Sequence, residues 1–335
     1  MKEHDIRPEA LLGRYLALCA EDAKRFFSGD IRQSVVCVGC GGSASVLEFE
    51  KLGFAYLRCE DCGTLFQSPR PDPQALESFY RDSVSSNYWA EVFFPAVAEV
   101  RREAIFRPRV DGLAQLCRKR GIAVDTLVDV GAGYGIFLEE WRRQFPAVRA
   151  IAVEPSAALA RVCREKGHAV VEDVAENAGT IGGTADLVSC FEVLEHVHDP
   201  LRFLSALCAI AKPGGFVFIT TMTIDGFDLQ VLGARSTQIS PPHHINFLSL
   251  KGIEKLCMRA GLVDVSITTP GRLDVDIVRN ALKRDPQLLV GQPFLGTLLN
   301  NDDAASAFQQ FLAEHRLSSH VWAIGRKVAG TGEMQ

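Results

Sequence analysis

Leu127-Val128-Asp129-Val130-Gly131-Ala132-Gly133-Tyr134-Gly135 is a short apolar run that breaks into glycines and then opens an amphipathic helix near 135–145. That is the pattern of a buried strand feeding a helix through a ligand-binding turn. Gly131 and Gly133 let backbone lie against a ligand, and the helix amino terminus presents free amides. The dinucleotide fingerprint is Gly-x-Gly-x-x-Gly, whereas here the third glycine comes one position early and Asp129 stands two before the first. Outward from this stretch, short apolar runs at 149–153, 169–172, 185–191 and 216–221 alternate with helical patterns near 156–166, 199–211 and 249–260. The last helix stops at Gly261, as a C′ glycine requires. The alternation predicts an α/β fold around a parallel sheet.

Two of these strands end on acids. Glu154 closes Ile151-Ala152-Val153-Glu154-Pro155, where a carboxylate accepts both ribose hydroxyls of an adenosine. Asp173 closes Val170-Val171-Glu172-Asp173, in reach of an adenine amino group. With Asp129, three acids in register across three strands point to a nucleoside ligand.

The fourth strand runs into Phe191-Glu192-Val193-Leu194-Glu195-His196-Val197-His198-Asp199-Pro200, and the fifth follows Lys212-Pro213-Gly214-Gly215. From about residue 125 to 268 the chain therefore resembles the class I S-adenosylmethionine (SAM)-dependent methyltransferases: the glycine loop, the acid after strand two, Glu-His-Val-x-Asp-Pro after strand four and Pro-Gly-Gly before strand five stand in family order. The resemblance implies a Rossmann-like seven-stranded methyltransferase sheet whose last strand is antiparallel. Two late runs, Val263 to Thr268 and His320 to Val328, suit its remaining strands. It implies SAM bound by Asp129, Gly131, Ala132, Gly133, Glu154, Asp173 and Phe191. It also implies methyl transfer to an oxygen or carbon of a small-molecule or carbohydrate-like acceptor, by in-line positioning plus a base where a hydroxyl must lose its proton.

The base should follow strand four or five, where Pro241-Pro242-His243-His244-Ile245-Asn246-Phe247 precedes a helix. In the methyltransferases this chain resembles, His-aliphatic-Asn-Phe often stands there, and His244 matches its histidine. His243 is the second candidate, with loop packing or capping as the alternative for both. The Phe191 to His196 segment is also similar to that of ubiquinone-biosynthesis O-methyltransferases, where the matching Glu, Glu and His are assigned a divalent metal. Many relatives share it without one, so structural or substrate-wall roles are expected of Glu192, Glu195 and His196, and Mg²⁺ is not favoured.

Cys37-Val-Gly-Cys40-Gly41 and Cys59-Glu-Asp-Cys62-Gly63 are two knuckles that deliver four thiolates to one tetrahedral ion. A structural Zn²⁺ is expected, with no open position for chemistry. The other six cysteines lie among apolar neighbours and read as reduced core residues. Such a ribbon ahead of a methyltransferase core, joined by a proline-rich linker at 68–73, looks like a subgroup of bacterial methyltransferases that commonly act in sugar, polysaccharide or other small-molecule pathways.

The whole chain of 335 residues is 47% hydrophobic and 23% charged with a formal net charge of −5, so no general basic field attracts nucleic acid. Within the ribbon, Lys51 and Arg58 face Glu48, Glu50, Glu60 and Asp61. An RNA methyltransferase guided by the ribbon is accordingly the second reading, and a noncatalytic SAM-binding scaffold the third. The charged start Met1 to Asp5 leads into no apolar segment, and no run reaches membrane-span length, so a cytoplasmic protein is expected. The expected domains are an N-terminal helix (1–33), the zinc ribbon (34–72), a helical linker or lid broken near Pro95 and Pro108 (73–124), and the SAM-binding domain (125–335). An insertion at about 271–318 within the last carries one helix near 304–315.

Overall fold

Seven strands form one sheet in the spatial order Leu262–Thr268, His320–Lys327, Ala211–Met222, Ala185–Phe191, Thr126–Val130, Arg149–Val153, Ala169–Val171. They are seen in a computed structural model that describes residues 2–29 and 32–329. The five strands from Ala211–Met222 to Ala169–Val171 are parallel. Two of them, 149–153 and 185–191, have the bounds expected from their apolar runs, because strands covered on both faces need continuous apolar sequence. The neighbouring starts are tied together: the Asp186 carboxylate accepts hydrogen bonds from the Asp125 and Thr126 amides at 2.9 and 2.7 Å. The late strand His320–Lys327 lies between Leu262–Thr268 and Ala211–Met222, the place a seventh strand takes in a Rossmann-like methyltransferase sheet.

The described residues gather into two compact units. The sheet unit holds residues 99–221, 254–267 and 323 onward; the other holds residues up to 98 together with 222–253 and 268–322. This grouping cuts across the consecutive boundaries expected at 33, 72 and 124. Its physical basis in the second unit is a four-stranded sheet ordered Asn246–Phe247, Leu65–Gln67, Phe54–Cys59, Ser45–Lys51. The ribbon thus takes its fourth strand from a segment far downstream in the chain, with Asn246 opposite Phe66 and Phe247 opposite Leu65. Phe27 of the helix Glu9–Phe27 joins Phe54, Tyr56, Leu65, Phe79, Ile245 and Phe247 in one buried cluster.

The insertion is richer than its sequence suggested. Asp274–Arg284 and Pro293–Asn300 are helices alongside Asp302–Glu314, and they share a core of Leu232, Val278, Leu299 and Leu312. Pro286 and Pro293 each stand in the first turn of their element, where the missing amide costs nothing.

The breaks expected near Pro95 and Pro108 are absent. Instead Trp89–Phe93 and Arg102–Phe106 are π turns, closed by Phe94 N–H to the Trp89 carbonyl and Arg107 N–H to the Arg102 carbonyl. A proline ring collides with the carbonyl four residues back; that carbonyl belongs to Glu91 or Ala104, inside the widened turn in each case. Widening accommodates the ring without ending the helix. No helix among the described residues is long and apolar enough to cross a membrane.

Candidate active site and four-cysteine centre

The glycine loop is held against its neighbour strand by the Gly131 amide, which donates to the Val153 carbonyl at 2.8 Å. Gly131, Gly133 and Gly135 all adopt positive φ, at 72°, 55° and 68°. A Cβ on Gly131 would stand 2.7 Å from Val193 Cγ2, so both conformation and space demand glycine there. The early third glycine has its reason too: Gly135 is the left-handed N-cap of the helix Ile136–Gln144.

Glu154 closes the neighbouring strand and is buried. Its two oxygens accept from the Gly133 amide at 2.8 Å and the Ser156 amide at 2.9 Å. Burial pushes its pKa up while those two amides pull it down. A carboxylate has about four acceptor positions, so it can take ribose hydroxyls while still gripping the loop. Asp173 is half-buried, and its Oδ1 accepts from the Val174 amide at 2.8 Å and Asn177 Nδ2 at 3.0 Å. Asp129 is buried beneath the loop, where desolvation raises its pKa to about 7 against the Ser189 hydroxyl, which donates to it at 2.7 Å. These positions fit a nucleoside cofactor: acceptors at two strand ends, beside a glycine backbone with no Cβ in the way.

At the end of the fourth strand, Phe191 lies 4.4 Å from the Phe137 ring, centroid to centroid. Glu192 follows in the left-handed region at φ 55°, a strained conformation for a residue with a side chain. Its Oε1 accepts from the Thr220 hydroxyl and from Arg109, the latter at 3.0 Å. Arg109 was missed in the sequence. Its guanidinium is buried, 4.6 Å from the Phe191 ring centroid, and burial pulls its pKa down. The signal was there: Arg109, Val110, Leu113, Ala114 and Cys117 form the buried stripe of the helix Arg107–Arg120, so an arginine sits at an apolar position. Glu195, also buried, accepts from the Thr221 hydroxyl at 2.9 Å, and desolvation followed by the Glu192 charge raises it to about 8.

The two histidines differ sharply. His243 is buried, its ring packed against Phe79 at 4.7 Å and Tyr15 at 5.5 Å, with Nε2 3.0 Å from the Ser85 hydroxyl. Burial drives its pKa down to about 3, so it is a poor proton acceptor and its surroundings are those of a packing residue. His244 is half-buried, and its Nδ1 lies 2.5 Å from the Gln238 carbonyl. A carbonyl only accepts, so Nδ1 carries a proton and the ring is oriented by this bond. Trp89, in the helical segment after the ribbon, stacks on buried Phe93 at 4.4 Å.

Cys37, Cys40, Cys59 and Cys62 converge, their four Sγ atoms all within 4.8 Å of one another. Cys37 to Cys62 and Cys40 to Cys59 are each 3.5 Å, far beyond a disulfide bond and close to the edge of about 3.8 Å that a tetrahedral Zn–S₄ unit with 2.3 Å bonds requires. The two knuckles are near copies: Gly41 and Gly63 both have φ 80°, and their amides donate to the Cys37 and Cys59 carbonyls at 2.8 and 2.9 Å. Four soft donors with no fifth position fit a structural zinc ion. Protein prepared without chelator is expected to carry one zinc per chain, with Cys59→Ser losing it; elemental analysis giving well below one equivalent would exclude the assignment. The other six cysteines are buried thiols.

A glycine loop, an acid on the next strand and this strand order together define a class I SAM-dependent methyltransferase. Residues 98–267 match the model of a methyltransferase-domain family, and the chain belongs to that family. It is 31% identical over 163 residues to the ubiquinone biosynthesis O-methyltransferase of Vibrio parahaemolyticus, covering 44% of this chain and 68% of that protein. It is 32% identical over 179 residues to the Xanthomonas campestris protein of the same name, covering 49% and 72%. Among solved structures, the plantazolicin methyltransferase BamL, in complex with a triazolic desmethylPZN analog and SAH, aligns with a TM-score of 0.50 at 12% identity over 75% of this chain and 94% of that one. At that identity the likeness is one of fold.

Proposed function

We propose that the protein methylates a hydroxyl oxygen of a small-molecule acceptor, with His244 as the general base. The orientation of His244 carries this reading: with Nδ1 donating to the Gln238 carbonyl, Nε2 would be the atom that takes up an acceptor proton, which oxygen methylation needs at neutral pH. The O-methyltransferase relatives support oxygen over carbon. SAM, when bound, supplies a methyl group already activated on a sulfonium. Glu154 would accept the ribose hydroxyls, Asp173 the adenine amino group, and Gly131, Ala132 and Gly133 would lie against the nucleoside. Asp129 would support the loop from beneath, and Phe191 would form an apolar wall. The zinc ion would fold the ribbon.

The test uses methyl-labelled SAM and the small-molecule fraction of a cell extract. Label is expected to enter one or a few metabolites in a bond that survives as an aryl or alkyl methyl ether. Label appearing only in RNA, or no transfer despite tight SAM binding, would overturn the proposal.

A further inference from the structure

The segment bearing His244 is gripped by the ribbon at almost every residue. Tyr56, fully buried in the strand Phe54–Cys59, donates its hydroxyl to the His244 carbonyl at 2.7 Å. The Gln67 amide donates to the Ile245 carbonyl at 2.9 Å. Arg70, itself buried, donates to Asn246 Oδ1 at 3.1 Å. Beyond the shared strand Asn246–Phe247, the second cysteine knuckle takes over. The Ser249 hydroxyl donates to the Cys62 carbonyl, the Ser249 amide donates to Thr64 Oγ1 at 3.2 Å, and Thr64 Oγ1 lies 3.3 Å from Cys62 Sγ. Gly252 packs so closely that a Cβ there would meet Thr64 Oγ1 at 2.2 Å, and the Lys251 ammonium donates to the Asp61 carbonyl at 2.8 Å.

We propose that the ribbon positions the catalytic loop: Tyr56, and the metal knuckle acting through Thr64 and Ser249, are positioning residues that fix the backbone of His244. The inference rests on the reading of His244 as the base. It gives the four-cysteine centre a part in turnover without any contact with substrate. A zinc knuckle holds its own carbonyls and hydroxyls in place, and here two of those groups are the partners of the segment that carries the histidine. Loss of the metal therefore loosens residues 240–253, and a base displaced by about 1 Å can cost up to 10² in rate.

Tyr56→Phe is the cleanest probe, because the ring keeps its packing against Phe49 and Phe247 and only the hydroxyl is lost. Two readouts are needed on the full chain. The first is deuterium uptake by peptides covering 240–253, expected to rise in Tyr56→Phe and in wild type stripped of zinc by a chelator. The second is the initial rate of label transfer from methyl-labelled SAM at saturation into the same extract fraction. Tyr56→Phe should lower it on the order of ten-fold, the loss of one net hydrogen bond, with SAM affinity unchanged. In a His244→Ala background the same substitution should change the rate by less than about two-fold, since residues acting through one another are not additive.

If His244→Ala alone leaves the rate unchanged, the base reading fails and the catalytic role of the ribbon fails with it. If His244→Ala slows transfer while Tyr56→Phe and zinc removal alter neither uptake nor rate, the ribbon is overturned as a positioning device and the base stands. Full additivity in the double variant overturns it equally.

Discussion

His244→Ala should lower the rate of methyl transfer by roughly 10² to 10⁴, the usual worth of a positioned general base, while SAM affinity stays within about two-fold of wild type. The affinity is preserved because no acceptor for the nucleoside is removed; Glu154 and Asp173 keep their amide partners. Initial rates with methyl-labelled SAM and isothermal calorimetry of SAM measure the two halves separately. His244→Gln is a useful companion, since an amide fills much of the space but cannot take up a proton. His243→Ala makes the contrast. It removes a buried ring packed on Tyr15, Phe79 and Tyr80, so its effect should fall on melting temperature, with the folded fraction turning over within a few-fold of wild type. A normal rate in His244→Ala would return that residue to a loop-packing role, and would mean an acceptor that is already ionised at neutral pH.

Glu154→Ala is expected to weaken SAM binding by about 1 to 3 kcal/mol, the range for hydrogen bonds to a charged acceptor, or roughly 5- to 150-fold in Kd. Two losses combine. The ribose hydroxyls lose their acceptor, and the Gly133 amide loses the carboxylate that holds the loop beside it. Glu154→Gln separates them: its carbonyl oxygen can serve one partner, so an intermediate loss is expected. Calorimetric titration of SAM into both variants decides the matter. An unchanged Kd in Glu154→Ala, or binding of NAD in place of SAM, would reject this carboxylate as the ribose acceptor.

The sheet was readable because its strands are continuous apolar runs ended by glycine or acid, as at Val130-Gly131 and Val153-Glu154. Such strands are buried by helices on both faces, so their sequence carries the whole signal. Asn246–Phe247 could not be found that way. A two-residue strand has no periodicity, and its partner Leu65–Gln67 lies far away in the chain. The π turns were hidden for a different reason: proline is read as a helix breaker, and one added residue per turn leaves no mark on composition. In the cofactor site, motif order led to the glycines and acids. Arg109 escaped because an arginine two residues after another in a basic helix looks solvated, although it occupies the apolar stripe. His243 and His244 are chemically identical in sequence. Only the Ser85 hydroxyl and the aromatic rings around one, and the Gln238 carbonyl beside the other, tell them apart.

The borrowed strand also governs how the chain is made. Tyr56 and His244 are 188 residues apart, so at about 5 to 20 residues per second of synthesis roughly 10 to 40 s separate their emergence from the ribosome. During that interval Leu65–Gln67 is an unpaired edge with apolar side chains, a template for pairing with another nascent chain. The thiols can gather their metal early, but the sheet they anchor cannot close. Ribosome stalling anywhere between residues 70 and 245 would therefore leave a metal-loaded fragment with an adhesive edge, and the N-terminal unit becomes a finished domain only after most of the message has been read.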